Sequence, residues 1–371
     1  MHLYLLYILF IIFTSIVILL VIGGLSAFMQ HPKFGGKPSV KEFKRLETSN
    51  NYKNGQFQNL SNTPQLTGDG SMFKIMKKFF FNKDKGNTPP FILPSKKTNL
   101  FELNVKDDVI VWFGHSSYFM QLAGKTILVD PVFSGHASPV RFTTKSFKGS
   151  DIYKAEDIPP IDFLLITHDH YDHLDYETII RLRPKIRTVI TGLGVGGHFK
   201  RWGYDEKIIF EKDWNEQIKF DELTFITTTA RHFSGRSFKR NSSLWLSFVV
   251  ITPTKKIFVG GDSGYDSHFK TIGEKFGPFD LVILENGQYN QYWKYIHMMP
   301  EEVVQAAMDL KGKKLLPVHW GKFSLSLHAW DEPIRLTMDE AKRKNLEVLH
   351  PMIGEAVALD ENSALTKWWD L

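Results

Sequence analysis

The nonapeptide THDHYDHLD, residues 167–175, follows directly on the apolar run IDFLLI and sets three histidines and three aspartates in nine positions. Groups this costly to desolvate have to be explained where a buried strand ends. A solvated turn, or a helix start capped by Asp172 or Asp175, accounts for the aspartates. Neither needs three histidines. His168 and His170 are two apart and point the same way in an extended segment, while Asp172 and His173 follow where the chain turns into the helical YETIIRL. This arrangement can offer ligands to two different metal ions.

The chain has no cysteine. Disulfides, thiolate sites and a Cys nucleophile are excluded, so any metal must sit on His and carboxylate ligands. With 371 residues, 43% of them hydrophobic, the chain can bury one large core and still carry an extra segment. The first thirty residues contain no Lys, Arg, Asp or Glu, and their apolar run exceeds the roughly 20 residues needed to cross a bilayer. They read as a transmembrane helix; a cleaved signal peptide would have a shorter apolar run and a basic leading region. Lys33, Lys37, Lys41, Lys44 and Arg45 all follow the helix, so the expectation is a single-pass membrane protein whose catalytic domain faces the cytoplasm.

The net charge of +6 is unevenly spread. Residues 31–100 carry 13 Lys and Arg against 4 Asp and Glu, whereas residues 101–371 carry 33 against 36. The excess sits next to the membrane, which favours anionic lipid over nucleic acid as its partner.

Three regions are expected: an anchor over 1–30, a basic linker or irregular arm over 31–100, and a hydrolase domain over 101–371 able to bind its metals alone. Within the arm, SMFKIMKKFFFNK puts Met72, Phe73, Ile75, Met76, Phe79 and Phe80 on one helical face and Lys74, Lys77 and Lys78 opposite. Such a helix either lies among lipid headgroups or packs on the domain. From residue 101 short apolar runs alternate with turns: DVIVWFG, SYFMQLAGKTILVD, IDFLLIT, IRTVIT and LTFITTTA, then SLWLSFVVI, KKIFVGG, LVILE, KLLPVHW and GEAVALD. Helical patterns intervene at HFKTIGEKFG and at PEEVVQAAMDL, whose Pro and two Glu suit a helix start. The expected fold class is α/β, a four-layer αββα sandwich of two sheets covered by helices.

Further ligand types close other apolar runs: His232 after LTFITTTAR, Asp262 after KIFVGG and His319 after KKLLPV. A lone histidine after a strand is usually structural. Three such residues downstream of an HxHxDH motif are not so easily dismissed.

With these residues in place the sequence resembles the metallo-β-lactamase superfamily, and within it the branch of N-acylphosphatidylethanolamine-hydrolysing phospholipases D. The narrower likeness rests on GHSSYFMQLAGKTILVDPVFSGHASP, THDHYDHLDY, FVGGDSGY, FGPFDLVILENGQYN, HMMPEEVVQAAMDL and LPVHWGKF, in order from residue 111 to about 325. The first hundred residues are outside it. The resemblance implies two zinc ions, one held by His168, His170 and His232, the other by Asp172, His173 and His319, with Asp262 bridging them. It also implies for His297 a position near a substrate phosphate, where it or a water can act as general acid; the alternative is a histidine that merely precedes the helix. Asp130 either orients a ligand histidine or caps the turn before Pro131, and His115 lies no closer than a supporting position. Asp169 faces away from the metals or buttresses them.

The resemblance implies cleavage of a phospholipid phosphodiester to phosphatidic acid and an N-acylethanolamine. Ser263 stands where the branch usually has Thr, and LENGQYNQYWKYIH differs in detail from its counterpart, which leaves headgroup and acyl preference open. The rival readings are a lactonase using the same metal pair and a zinc-binding membrane scaffold without turnover; the acidic balance of residues 101–371 argues against a nuclease.

Overall fold

A computed structural model describes residues 2–68, 77, 86–361 and 364–370. Helices α1 (His2–Met29) and α2 (Val40–Glu47) and a short hairpin of β1 (Tyr52–Lys53) and β2 (Gln56–Phe57) precede two sheets. The first sheet holds β3 (Val109–Trp112), β4 (Tyr118–Leu122), β5 (Lys125–Val129), β6 (Phe163–Ile166), β7 (Val189–Gly192) and β8 (Ile209–Lys212). The second holds β9 (Gln217–Phe220), β10 (Leu223–Thr228), β11 (Ser247–Ile251), β12 (Lys256–Val259), β13 (Leu281–Glu285), β14 (Lys314–Val318) and β15 (Glu347–Val348). A last strand, β16 (Ala356–Ala358), returns to the first sheet and pairs with β3.

Strand residues alternate between two apolar faces, and that alternation produces the layers. Ile110, Trp112, Ile127, Val129 and Leu165 of the first sheet share a central core with Phe248, Val250, Ile257, Val259 and Ile283 of the second. Their neighbours Val111, Leu128, Leu164 and Ile166 face outward onto Ile179, Leu182 and Phe199, carried by α3 (Tyr176–Leu182) and α4 (Gly196–Arg201). On the far side Val249, Phe258, Val282 and Leu315 meet Phe269, Val303, Ala307 and Ala341 of α5 (His268–Phe276), α6 (Pro300–Asp309) and α7 (Glu332–Lys344). Each fully buried Leu, Ile, Val or Phe contributes about 1.5–3 kcal/mol. This is the expected four-layer sandwich.

In each sheet three antiparallel pairs are followed by three parallel ones: β16-β3-β4-β5 then β5-β6-β7-β8, and β9-β10-β11-β12 then β12-β13-β14-β15. Because β11 runs against both β10 and β12, strands β10, β12, β13 and β14 point the same way. Their C-terminal ends therefore gather at one edge.

Within the segment 31–100, the described residues make defined contacts with the sandwich. Ser39 and Glu42 form a reciprocal cap that starts α2. Leu46, Phe57 and Leu93 are buried in the central core, and Arg231 donates to Thr63 Oγ1 and the Asn62 carbonyl. The described parts of the arm thus pack on the sandwich. The helix expected around residues 72–80 lies outside the described residues, Lys77 excepted.

Helix α1 is 28 residues long, about 42 Å at 1.5 Å per residue, against a hydrocarbon layer of about 30 Å. None of its apolar window is buried against the rest of the chain. It is long and apolar enough to span a membrane.

Candidate metal centre

The gathered strand ends carry the polar residues. Thr167 and His168 follow β6, His232 lies beyond β10, Asp262 beyond β12 and His319 directly after β14. Gly261, at φ +66°, makes the turn into Asp262; a Cβ there would come within 2.8 Å of the Thr167 side chain. Only glycine lets this turn descend onto the nonapeptide. His115, Asp130, Gln288 and His319 also have positive φ, from 40° to 68°. Such backbone costs on the order of 1–3 kcal/mol per residue and is held by its surroundings at functional sites.

His168, His170 and His232 bring ring nitrogens together within 4.8 Å of one another. His168 Nε2 lies 2.9 Å and His232 Nε2 3.3 Å from His170 Nδ1. A second group joins Asp172, His173 and His319 with His115, also within 4.8 Å. Asp262 lies between the two: its Oδ2 is 3.2 Å from His173 Nε2, 3.7 Å from His232 Nε2 and 3.9 Å from His168 Nε2, and its Oδ1 is 3.2 Å from His319 Nδ1. The seven side chains singled out as metal ligands therefore lie together in space.

The surrounding residues fix which nitrogen each ring presents. His173 Nδ1 donates to Asp130 Oδ2 at 2.8 Å, and His232 Nδ1 donates to the Ile296 carbonyl at 2.8 Å. His168 Nδ1 meets Thr167 Oγ1 at 3.1 Å, and His319 Nδ1 meets Ser116 Oγ at 2.8 Å. With Nδ1 engaged, His168, His173 and His232 turn Nε2 toward Asp262, whereas His170 offers Nδ1 and His319 brings Nδ1 to the centre beside Ser116. Asp130 also accepts from Thr167 N and Oγ1, so it orients a histidine and fixes the turn at once. Asp169 points away, accepting from Ser243 Oγ, Gly235 N and His198 Nε2. His115 Nε2 donates to Asp172 Oδ2 at 2.9 Å, supporting that carboxylate.

Electrostatics agree with metal-ligand chemistry at four of the five candidate ring ligands. Burial, then the neighbouring histidines, hold His168, His232 and His319 well below the usual imidazole range; burial takes His170 down to about 4 against the pull of Asp172 and Asp169. Neutral rings keep a free lone pair. Burial would lower His173 too, but Asp262 and Asp172 reverse the effect and raise it. Burial also lifts Asp262 to about 6, with His173 opposing. His173 Nε2 and Asp262 Oδ1 are buried and lack a hydrogen-bond partner. A cation between them would satisfy both, so the donor set fits the metals that the sequence implies.

Above the centre is a cavity of about 540 Å3 lined by His170, Asp172, Asp262, His297 and His319 at its base and by Leu66, Phe233, Trp293, Ile296 and Leu325 on its walls. His297 stacks on His319 at 5.3 Å and shares a proton through Nδ1 with Glu285 Oε2 at 2.8 Å. Burial pushes the Glu285 carboxyl well above its usual range, although it accepts from Met298 N.

Three supporting residues escaped the sequence reading. Glu285 closes the apolar run LVILE just as Asp262 follows KIFVGG, and that shared pattern was the available signal. Ser116 stands in GHSSY with nothing local to connect it to His319. Asn59, in the arm, clamps both backbone groups of His232, accepting from its N–H and donating to its carbonyl.

Known proteins resemble this chain in sequence and fold. The Beta-lactamase superfamily domain matches residues 125–320, more than half of the chain. An uncharacterized protein of Mycobacterium tuberculosis is 36% identical over 329 residues, covering 88% of each chain. The N-acyl-phosphatidylethanolamine-hydrolyzing phospholipase D 1 of Caenorhabditis elegans is 33% identical over 233 residues, 58% of this chain and 64% of that one. Among solved structures, Igni18, a metallo hydrolase from the archaeon Ignicoccus hospitalis, superposes with a TM-score of 0.53 at 19% identity over 69% of this chain and 99% of its own, a likeness of fold. With its strand-end histidines and aspartates and this match, the chain belongs to the metallo-β-lactamase superfamily and is a metal-dependent hydrolase.

Proposed function

We propose that the protein is a membrane-anchored phosphodiesterase that uses two zinc ions to cleave N-acylphosphatidylethanolamine-type phospholipids into phosphatidic acid and an N-acylethanolamine. The observation that carries this reading is the convergence of two ligand groups on Asp262 at the base of a cavity that Leu66, Phe233, Trp293, Ile296 and Leu325 line together with Arg240. A relative of this chain bears that activity in its name.

His168, His170 and His232 are assigned to one zinc, Asp172, His173 and His319 to the other, and Asp262 to both. Imidazole and carboxylate donors suit zinc. When bound, the ions supply an activated water at neutral pH and positive charge for the phosphate oxygens. The remaining tasks fall to the chain. Glu285, kept protonated by burial, donates to His297 Nδ1, so the ring proton stays on Nε2, available to a phosphate oxygen or to the departing alkoxide. Arg240 borders the same cavity and adds a cation for the headgroup, while Leu66, Phe233, Trp293 and Leu325 offer acyl chains a dry surface. Helix α1 holds this opening at the bilayer, and the basic residues after it place the domain on the cytoplasmic side.

The test supplies zinc-loaded full-length protein with an N-acylated phosphatidylethanolamine and with a panel of lactones, and identifies products by mass. Phosphatidic acid release, abolished by chelation and by His170→Ala, is the expected result. Lactone turnover with the lipid intact would make the protein a lactonase. Bound zinc without turnover of any ester would make it a scaffold.

A further inference from the structure

A second hollow, of about 600 Å3, lies where α1 meets the sandwich and contains none of the seven metal-ligand candidates. Phe28 and Lys33 border it from the end of α1 and the turn that follows; His136, Arg141 and Phe142 come from the loop after β5, and Arg181 from α3. Four cations line it, Lys33, Arg141, Arg181 and Arg236, against two carboxylates, Asp175 and Glu177.

The carboxylates are already engaged. Asp175 accepts from Thr178 Oγ1 at 2.5 Å and from Ser134 N, and Glu177 accepts from Arg141 at 2.9 Å. Arg236 is committed to the carbonyls of Lys33, Asp169 and Leu174. Arg181 has no ion-pair partner among the described residues, and the Arg141 side chain remains 76% exposed despite its contact with Glu177. Burial and the nearby Arg141 guanidinium lower Lys33, with Glu177 opposing, as expected of a cation crowded by another. His136 donates through Nδ1 to the Ser138 carbonyl at 2.8 Å, and its Nε2 lies 3.8 Å from Glu177 Oε1, so this ring adds no donor to the hollow. Lys33 Nζ donates to the Pro139 carbonyl, so the positive charge that the hollow's own residues do not consume is that of Arg181 and Arg141.

Its position selects the ligand. If α1 spans the bilayer, the end of that helix marks the headgroup layer, and Phe142, 78% exposed on the rim beside Arg141, is an aromatic-basic pair suited to that layer. Guanidinium groups bind phosphate through paired hydrogen bonds, and the uncovered flank of α1 is apolar surface for acyl chains. We propose that this hollow binds the phosphate of an anionic phospholipid, as a non-catalytic site that seats the metal cavity on the membrane. A third cavity, about 460 Å3, runs between the two, sharing Pro139 and Tyr171 with the hollow and His170 and Asp172 with the metal cavity. A lipid held at the end of α1 would thus lie beside a continuous approach to the centre. The inference rests on reading α1 as a membrane span, and it does not depend on which ester is hydrolysed.

The experiment reconstitutes full-length protein into phosphatidylcholine nanodiscs with and without phosphatidylglycerol and counts phosphatidylglycerol retained on the released protein by native mass spectrometry. Wild type and the His170→Ala variant should both retain it. Arg141→Gln combined with Arg181→Gln, both at exposed positions, should weaken retention tenfold or more, and Phe142→Ser should weaken it severalfold. Unchanged retention in the double-arginine variant overturns the proposal. So does loss in His170→Ala, which would locate the lipid in the metal cavity, or full displacement by inorganic phosphate, which would make the ligand a free anion. Carbonate extraction of liposome-reconstituted protein reports separately on α1: protein that stays in the bilayer but retains no phosphatidylglycerol refutes the lipid site alone, whereas protein that is stripped refutes the anchor and the lipid source with it.

Discussion

At the scale of single residues, the centre depends on groups that never touch a metal. Asp130→Asn preserves shape but turns an amide N–H toward His173 Nδ1, which favours the wrong tautomer. We expect metal affinity to fall by about 10–100-fold, measured by competition with a chromophoric chelator, with the fold retained. Glu285 gives a sharper contrast. Glutamine can still accept from Met298 N and donate to His297 Nδ1, so Glu285→Gln should keep turnover within a few-fold, whereas Glu285→Leu should lower kcat by about 10²-fold or more. Equal loss in both would mean that the carboxylate works ionised. Away from the centre, burial pushes His268 down to about 4. The unfolded chain then binds its proton more readily, so the stability from its neutral ring is fully present above about pH 6.5 and is lost as the pH falls toward 4. Thermal unfolding of His268→Gln should accordingly fall less steeply across that window than wild type. The ligand types were legible because each ends an apolar run, and Asp130 because a ligand histidine needs a partner. Ser116 and Asn59 were not, since each acts on a residue far along the chain, His319 and His232.

Among the elements, legibility follows burial. Strands at the sheet centres are covered on both faces and read as unbroken apolar runs, as β6, β11 and β13 do. The outermost strands β8, β9 and β15 are covered less completely, and IFEK, QIKF and EV carry too little apolar pattern to stand out. The packing of the arm was not legible for a related reason: its contribution is a few single anchors rather than a period. Phe57 is one of these, fully buried in the central core although its strand is two residues long. Phe57→Ala should cost about 3–5 kcal/mol, read from denaturant unfolding. Removing residues 31–68 should additionally reduce bound metal, because Asn59 no longer fixes His232. A truncated domain that holds its full complement of metal would contradict this.

For the whole molecule, the uneven charge and the uncovered α1 were visible in composition alone, and the layers followed from which runs were apolar. The hollows were not visible, because they form between segments as distant as Lys33 and Arg181. Deleting residues 2–29 should leave metal content and turnover of a short-chain soluble substrate intact while lowering turnover of vesicle-borne substrate at least tenfold. Equal rates on vesicles would show that the helix does not bring the site to its lipid.

The pairing of Ala356 with Val111 ties the final strand of the sandwich to its first. Until β16 has been made the first sheet has an open edge, and until residue 319 has been made one of the seven candidate ligands does not exist. Ion capture by these residues therefore follows the synthesis of β14, after every strand of the first sheet except β16 has been made.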